Sequence, residues 1–235
     1  MPDRSKSNAK PVLVAGATGA IGSEVVQALL ERGAPLRVFV RSKEKVAHLP
    51  AEVKRVEGCM EDREAIGRAL RGVQAAFFVS PHDPAEERLA ENFLGACEAA
   101  GVRLVFSGVH AGGRNRLVRL LHRFLFGLLL PHYRPKLRIG ERVRTSRTRA
   151  VVLVPANYFQ TDEICMAALL GGEYPLSLRQ FPRVDARDVG EAAARALLDP
   201  TVPPGAYTLV GPASLTGEVV AANWTAALGH PVRYR

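Results

Sequence analysis

The chain has 235 residues, 47% of them hydrophobic, with a formal charge of +9. That length suits one large domain with a sizeable buried core, or one domain with a small appendage. No apolar run approaches the ~20 residues of a membrane span. Residues 1–10 are polar without the apolar stretch of a secretory signal. The three cysteines, Cys59, Cys97 and Cys165, are odd in number, far apart and without zinc-like spacing, so a reducing cytoplasm and no metal are expected.

In chain order, 11–15 is an apolar run predicted as a strand. It meets three glycines spaced three apart, Gly16, Gly19 and Gly22, with Ala17, Thr18, Ala20 and Ile21 between them. An amphipathic helix follows over 20–32, with Val25, Val26, Leu29 and Leu30 against Glu24, Gln27 and Glu31. Glycines at such a strand–turn–helix junction let the backbone approach a ligand closely. The free N–H groups that open the helix then face an anion, usually a pyrophosphate. An ordinary tight turn is the bland alternative; matching strand and helix on both sides favour nucleotide binding.

Strands are then expected at 36–40, 53–57, 74–79 and 103–107. Helices are expected near 43–48, at 63–70 and at 84–100, the last two stopped by Gly72 and Gly101. Apolar strands alternating with amphipathic helices imply an α/β fold, a doubly wound parallel sheet covered on both faces. Its ligand crevice lies at the carboxyl ends of the strands. Those ends carry the glycine turn, then Arg41, Ser42 and Lys43 with Lys45 close by, then Ser80 and Pro81, then Ser107, Gly108 and His110. No acid stands after the second strand to meet ribose hydroxyls. Arg41 suits a 2′-phosphate instead, so NADP(H) is preferred over NAD(H).

Residues 114–149 hold eleven Arg and Lys against one acid, Glu141, whereas the remaining 21 bases and 22 acids nearly cancel. A solvated helical surface is the favoured reading of this segment. Nucleic acid is disfavoured, because no aromatics alternate with the arginines. Within 114–130, Arg116, Arg119 and Arg123 share one helical face and Leu117, Leu120, Leu121, Phe124 and Leu128 the other. A subunit interface or a wall of the substrate pocket is favoured for this helix over contact with a membrane surface. It is too short to span a bilayer.

From 150 onward a strand (150–154), a helix (162–170), a loop at Gly171 and Gly172, and a helix over 188–198 capped by Asp188 are expected. A strand (206–210), a helix from a Thr216 cap to Leu228, and a short strand (232–234) complete the chain. The expected organisation is a loose tail over 1–10, a nucleotide-binding domain over 11–154, and a small region over 155–235 packed on the same unit. No internal repeat or low-complexity tract is present.

Six stretches together resemble the NmrA-like proteins, atypical members of the short-chain dehydrogenase/reductase superfamily. They are the glycine motif, Val40-Arg41-Ser42, Gly72-Val73-Gln74-Ala75-Ala76-Phe77-Phe78, Val102-Arg103-Leu104-Val105-Phe106-Ser107, Val154-Pro155-Ala156-Asn157-Tyr158-Phe159 and Val184-Asp185-Ala186-Arg187-Asp188-Val189-Gly190. The resemblance covers roughly residues 11–230 and implies a Rossmann domain with NADP(H) across the strand ends. By position, Gly16, Thr18, Gly19, Ala20, Ile21 and Gly22 hold the pyrophosphate and Arg41 the 2′-phosphate. Ser80, Pro81 and Lys136 meet ribose, and Pro155 and Asn157 flank the nicotinamide.

The chain departs from the family pattern in several places. The family often has Gly-Asp after its third strand, with the Asp reaching adenine; here Gly58-Cys59 stands there, which weakens the adenine contact unless Asp62 compensates. Cys59 is expected to be a buried small residue. The superfamily's Tyr and Lys stand four apart on one helical face. Here Tyr133 lies three before Lys136 and His132 four before it, and Pro131 and Pro135 disturb the helix, which breaks or starts at Arg134. Lys136, His132, Tyr133 and Ser107 are the catalytic candidates. The further helices that close the family's substrate side are not recognisable, which leaves an open or small substrate site, or a shortened form. The favoured function is an NADPH-dependent oxidoreductase acting on a small carbonyl or quinone-type substrate, as a monomer or homodimer. The alternative is a non-catalytic NADP(H) sensor that regulates a protein partner.

Overall fold

The computed structural model describes residues 9–80, 83–109, 116–129, 133–176 and 180–235. The elements run β1 (Val12–Ala15), α1 (Ala20–Glu31), β2 (Leu36–Val40), β3 (Lys54–Glu57), α2 (Arg63–Leu70), β4 (Ala75–Val79), α3 (Glu86–Ala100) and β5 (Arg103–Ser107). Next come α4 (Arg116–Leu129), α5 (Arg134–Arg144), β6 (Val151–Pro155), β7 (Asn157–Tyr158), α6 (Met166–Leu170), β8 (Glu173–Tyr174) and β9 (Phe181–Val184). The order ends with α7 (Ala186–Leu198), β10 (Gly205–Leu209), β11 (Ser214–Leu215), α8 (Gly217–Leu228) and β12 (Arg233–Tyr234).

Seven strands form one parallel sheet in the order β10-β6-β5-β4-β1-β2-β3. Successive side chains of a strand point to opposite faces, so each strand feeds two cores. Val12 and Val14 join Phe77, Val105, Val151 and Leu153 beneath α1 and α7. Leu13 and Ala15 join Phe39, Phe78, Phe106 and Val152 beneath α2, α3 and α5. On the second face Phe78 stacks between Phe93 and Phe106, with ring centroids 5.0 and 5.8 Å away. This is the doubly wound arrangement the alternation of elements predicts. Its strand order reverses between β1 and β4, the place where such sheets open a crevice.

On the first face α7 lies against α1. A methyl group at Gly190 would fall 2.7 Å from the Glu24 backbone, so only glycine permits this approach. Arg32 of α1 pairs with Glu191 of α7 at the same seam.

Three expectations are corrected. α7 starts two residues earlier than predicted and Asp185, not Asp188, caps it, accepting from the Arg187 N–H at 2.9 Å. Both aspartates suit the role; Asp185 takes it because strand β9 ends at Val184. Helix 162–170 is instead a 3-10 helix over Phe159–Cys165 followed by the short α6. Cys59 is exposed rather than buried, since β3 is the edge strand and the chain leaves it into solvent. The short strands β7, β8, β9 and β11 were not anticipated. They form two small sheets, β11-β9-β7 and β12-β8. Beside them Cys165, Leu169, Tyr174, Val220, Ala221 and Val232 make a third, smaller core. Asp162 and Arg183 are buried among these elements.

Candidate functional site

The glycine turn joins β1 to α1 through a left-handed residue and two successive hydrogen bonds. Gly16 adopts φ +83°, a left-handed conformation that glycine takes without penalty. The Gly19 N–H then donates to the Gly16 carbonyl at 3.0 Å, and Ser23 N–H to the Gly19 carbonyl at 2.9 Å. A Cβ at Gly22 would stand 1.9 Å from the Gly16 carbonyl oxygen, so the helix can begin this close to the strand only with glycine there. Gly19 opens α1 with no side-chain cap, and no acid occupies the first turn. Thr18, Gly19 and Ala20 are exposed, whereas Ala17, Ile21 and Gly22 are buried. The first N–H groups of a helix lack partners within it, and here they face solvent beside the β1–β4 reversal. The built cradle fits an anionic ligand lying across the turn.

Arg41 is the first residue beyond β2, exposed, with no ion pair or hydrogen bond among the described residues. Its neighbours are occupied: Ser42 bonds to Glu44, and Lys43 pairs with Glu57 at 3.9 Å. The Asp62 carboxylate, offered in place of the missing adenine acceptor, is used otherwise. It caps α2, accepting from Ala65 N–H at 2.9 Å, and pairs with Arg68 at 3.7 Å.

Ser80 follows β4 and is buried. Lys136, in the first turn of α5, reaches it from the other side, Nζ to Oγ 3.4 Å. The same ammonium makes a 2.6 Å ion pair with Glu86, which opens α3 and is 7% exposed. Sequence reasoning singled out Ser80 and Lys136, which the fold brings together, and missed Glu86, their shared anchor. An acid at a helix start is explained by the helix dipole alone, so nothing local marked it. α5 starts at Arg134 with Pro135 in its first turn, where a missing N–H costs nothing. Tyr133 caps that helix and is half-buried. His132 and Pro81 lie outside the described residues, as does His110.

Ser107 ends β5 and is 1% exposed. Its hydroxyl is the polar group that acts on the phenol of Tyr158, a residue the sequence offered only as part of the Val154–Phe159 stretch. Burial pushes the Tyr158 phenol up to about 12, with the Ser107 hydrogen bond pulling the other way. A phenol so placed stays protonated at neutral pH. Pro155 ends β6 half-buried, and Asn157 opens β7 exposed, in register with Arg183 of β9. Downstream, Gln160 ties this strand to the start of α7. Its amide N–H donates to Asp185 at 3.0 Å, and its carbonyl accepts from Ala186 N–H at 3.1 Å. Two shallow concavities elsewhere, one around Ala221, Thr225 and Tyr234 and the other around Lys43, Leu49 and Arg55, are lined by none of Ser80, Ser107, Lys136 or Tyr158. Among the described residues no group of three or more His, Cys, Asp or Glu is arranged to hold a metal ion.

The profile of the NmrA-like family matches residues 8–235. An NAD(P)H azoreductase of Xenophilus azovorans is 30% identical over 230 residues, 95% of this chain and 76% of the relative. A (4-alkanoyl-5-oxo-2,5-dihydrofuran-3-yl)methyl phosphate reductase of Streptomyces griseus is 32% identical over 229 residues, again 95% and 76%. Among solved structures, an NADPH-dependent quinone oxidoreductase of Escherichia coli in complex with NADPH superposes with a TM-score of 0.79 at 22% identity, covering 95% of this chain and 77% of that one. At that identity the superposition establishes the shared fold.

Proposed function

The chain belongs to the NmrA-like family, and on that premise we propose that it is an NADPH-dependent reductase of small conjugated acceptors, quinones and related carbonyl compounds, with azo compounds as a further class. The full-length kinship with two reductases supports reductive chemistry. The observation that carries the reading is the placement of Ser107, at the carboxyl end of the interior strand β5, beside the phenol of Tyr158.

A bound nicotinamide cofactor supplies hydride. The chain's own residues do the rest. The turn from Gly16 to Gly22 binds the pyrophosphate through backbone N–H groups, and Arg41 binds the 2′-phosphate, an anion that NADH lacks. Ser80 and Lys136 face a ribose, with Glu86 fixing the ammonium in place. Pro155 and Asn157 border the nicotinamide end. Tyr158 holds a proton on its phenol oxygen through the neutral pH range, and Ser107, whose hydroxyl favours the phenolate, eases its release. Transfer of the phenolic proton balances the negative charge that hydride addition leaves on the acceptor's oxygen or nitrogen.

The test is NADPH oxidation followed at fixed protein with a simple quinone, an enone lactone and an azo dye in turn. Quinone turnover is expected, and Tyr158→Phe is expected to lower kcat by about a hundredfold or more while leaving NADPH affinity unchanged. Binding of NADPH without turnover of any acceptor defeats the reading and favours a cofactor sensor. One observation leans that way: Lys136 is held by Glu86 rather than free to reach a phenol. Unchanged kcat in Tyr158→Phe leaves the reductase and removes Tyr158 from its chemistry.

A further inference from the structure

Helix α4 carries the largest group of exposed apolar side chains in the described protein. Leu117, Leu120, Leu121, Phe124, Leu128 and Leu129 are between 54% and 76% exposed. Their spacing of three and four residues gathers them on one side of the helix. Exposed contiguous apolar surface of this kind marks a contact site. In the same helical repeat, positions 116, 119 and 123, all arginine, fall together on the opposite side, and 114–130 contains no acid.

The basic segment that the sequence presents as one block is divided by the structure. On α5 the cations are matched, mostly by acids of α3. Lys136 pairs with Glu86, Arg138 with Glu87, Arg142 with Glu91 and Glu98, and Arg144 with Glu141 of its own helix. The segment 114–130 itself carries four arginines and no acid.

We propose that α4 is a membrane-surface helix, lying in the interface of an anionic lipid bilayer with its leucines and Phe124 at the acyl boundary and its arginines among the headgroup phosphates. Three observations select this occupant. At 14 residues the helix is about 21 Å long, short of the ~30 Å hydrocarbon core, so it lies in the interface rather than crossing it. No helix among the described residues is long and apolar enough to cross a membrane. A second copy of this chain, meeting it through the same helix, brings no acid of 114–130 to answer these arginines. An anionic lipid surface answers both sides of the helix at once, apolar burial on one and phosphate on the other.

The experiment is co-sedimentation of the purified full chain with phosphatidylcholine vesicles and with vesicles of phosphatidylcholine and phosphatidylglycerol. Binding to the anionic vesicles is expected, with little to the neutral ones, and rising salt should release it. The double variant Leu121→Glu and Phe124→Glu changes only exposed positions and is expected to weaken vesicle binding at least tenfold or so. Its melting temperature should match that of the wild type. Failure of the wild type to bind anionic vesicles overturns the proposal, as does equal binding to neutral ones. A wild-type dimer that the double variant converts to monomer, without vesicle binding, assigns the face to a second copy instead. The salt titration of the wild type needs no variant and decides the electrostatic half alone. None of these readouts depends on reductase activity.

Discussion

Arg183 and Asp162 meet as a parallel fork: Nη2 to Oδ1 is 2.8 Å and Nη1 to Oδ2 is 3.0 Å, with both side chains at most 5% exposed. Tyr174 donates its hydroxyl to Oδ1 at 3.0 Å and Trp224 its indole N–H to Oδ2 at 2.9 Å. Arg183 also donates to the Tyr158 carbonyl at 2.9 Å, so the network reaches the strand that carries the proposed proton donor. That strand is thus backed by a buried ion pair that four other elements share.

Removing one partner of such a pair leaves the other charged and unmatched. Asp162→Asn is expected to destabilise the fold by about 3 kcal/mol. Trp224 is the protein's sole tryptophan and touches the carboxylate itself, so urea unfolding followed by its fluorescence reads the loss directly. Stability within a few tenths of the wild type would show that the pair is dispensable.

At the glycine turn two substitutions separate the turn's fold from its ligand. A Cβ at Gly19 meets its nearest neighbour at 3.5 Å, ordinary contact. Gly19→Glu should therefore fold normally yet lose NADPH affinity by about a hundredfold or more, since it sets a carboxylate where phosphates belong. Gly22→Ala, whose Cβ would overlap the Gly16 carbonyl, should lower the melting temperature as well. Calorimetric titration beside thermal melts distinguishes the two. Normal cofactor binding by Gly19→Glu would mean that the anion site lies elsewhere.

Arg41, one residue past β2, makes no ion pair or hydrogen bond among the described residues. Arg41→Ala is expected to weaken NADPH by about thirtyfold, the worth of a charge-assisted contact, and to leave NADH within about twofold. Parallel titrations with both cofactors supply the ratio. Equal losses would remove Arg41 from the reading of the 2′-phosphate.

Acid titration probes the α3–α5 seam. Arg142 donates to both Glu98 oxygens, at 3.2 and 2.9 Å, and the Arg147 N–H to one of them at 3.0 Å. The Arg142 bonds first, and then the Arg147 N–H, hold the Glu98 carboxyl down near about 2 from the usual 4.5. A carboxyl lowered by folding contributes stability above its unfolded value, and the contribution disappears as pH falls through the folded value. Glu98→Gln should therefore flatten the loss of stability between roughly pH 4.5 and 2, with its largest difference from wild type above that window. Denaturant midpoints at stepped pH measure it; parallel curves throughout would mean that the pairing contributes nothing to folding.

The elements of the main sheet were legible because local signals suffice for them. Leu36–Val40 and Arg63–Leu70 lie where their patterns place them, and Thr216 caps α8 by accepting from Val219 N–H. The glycine turn was legible for the same reason, since its constraint is written in consecutive residues. The small strands were not, because two-residue segments such as Asn157–Tyr158 carry no periodicity. The pairings Lys136–Glu86 and Ser107–Tyr158 span about fifty residues each, and only the packed sheet brings them together. The basic block at 114–149 was read as one surface because charge counts do not show that α3 lies beside α5.

The packing of α7 on α1 also sets an order of assembly. α1 leaves the ribosome well before the helix that covers its apolar side, which places Gly190 against Glu24 and arrives more than 150 residues later. Strand β10, which completes the sheet beside β6, comes later still. During synthesis the dinucleotide end of the molecule therefore waits with Val25 and Leu29 uncovered. Contacts so distant in the chain slow folding and prolong exposure of such surfaces to chaperones and to aggregation. The part of the sequence that declares its purpose earliest is the part whose structure closes last.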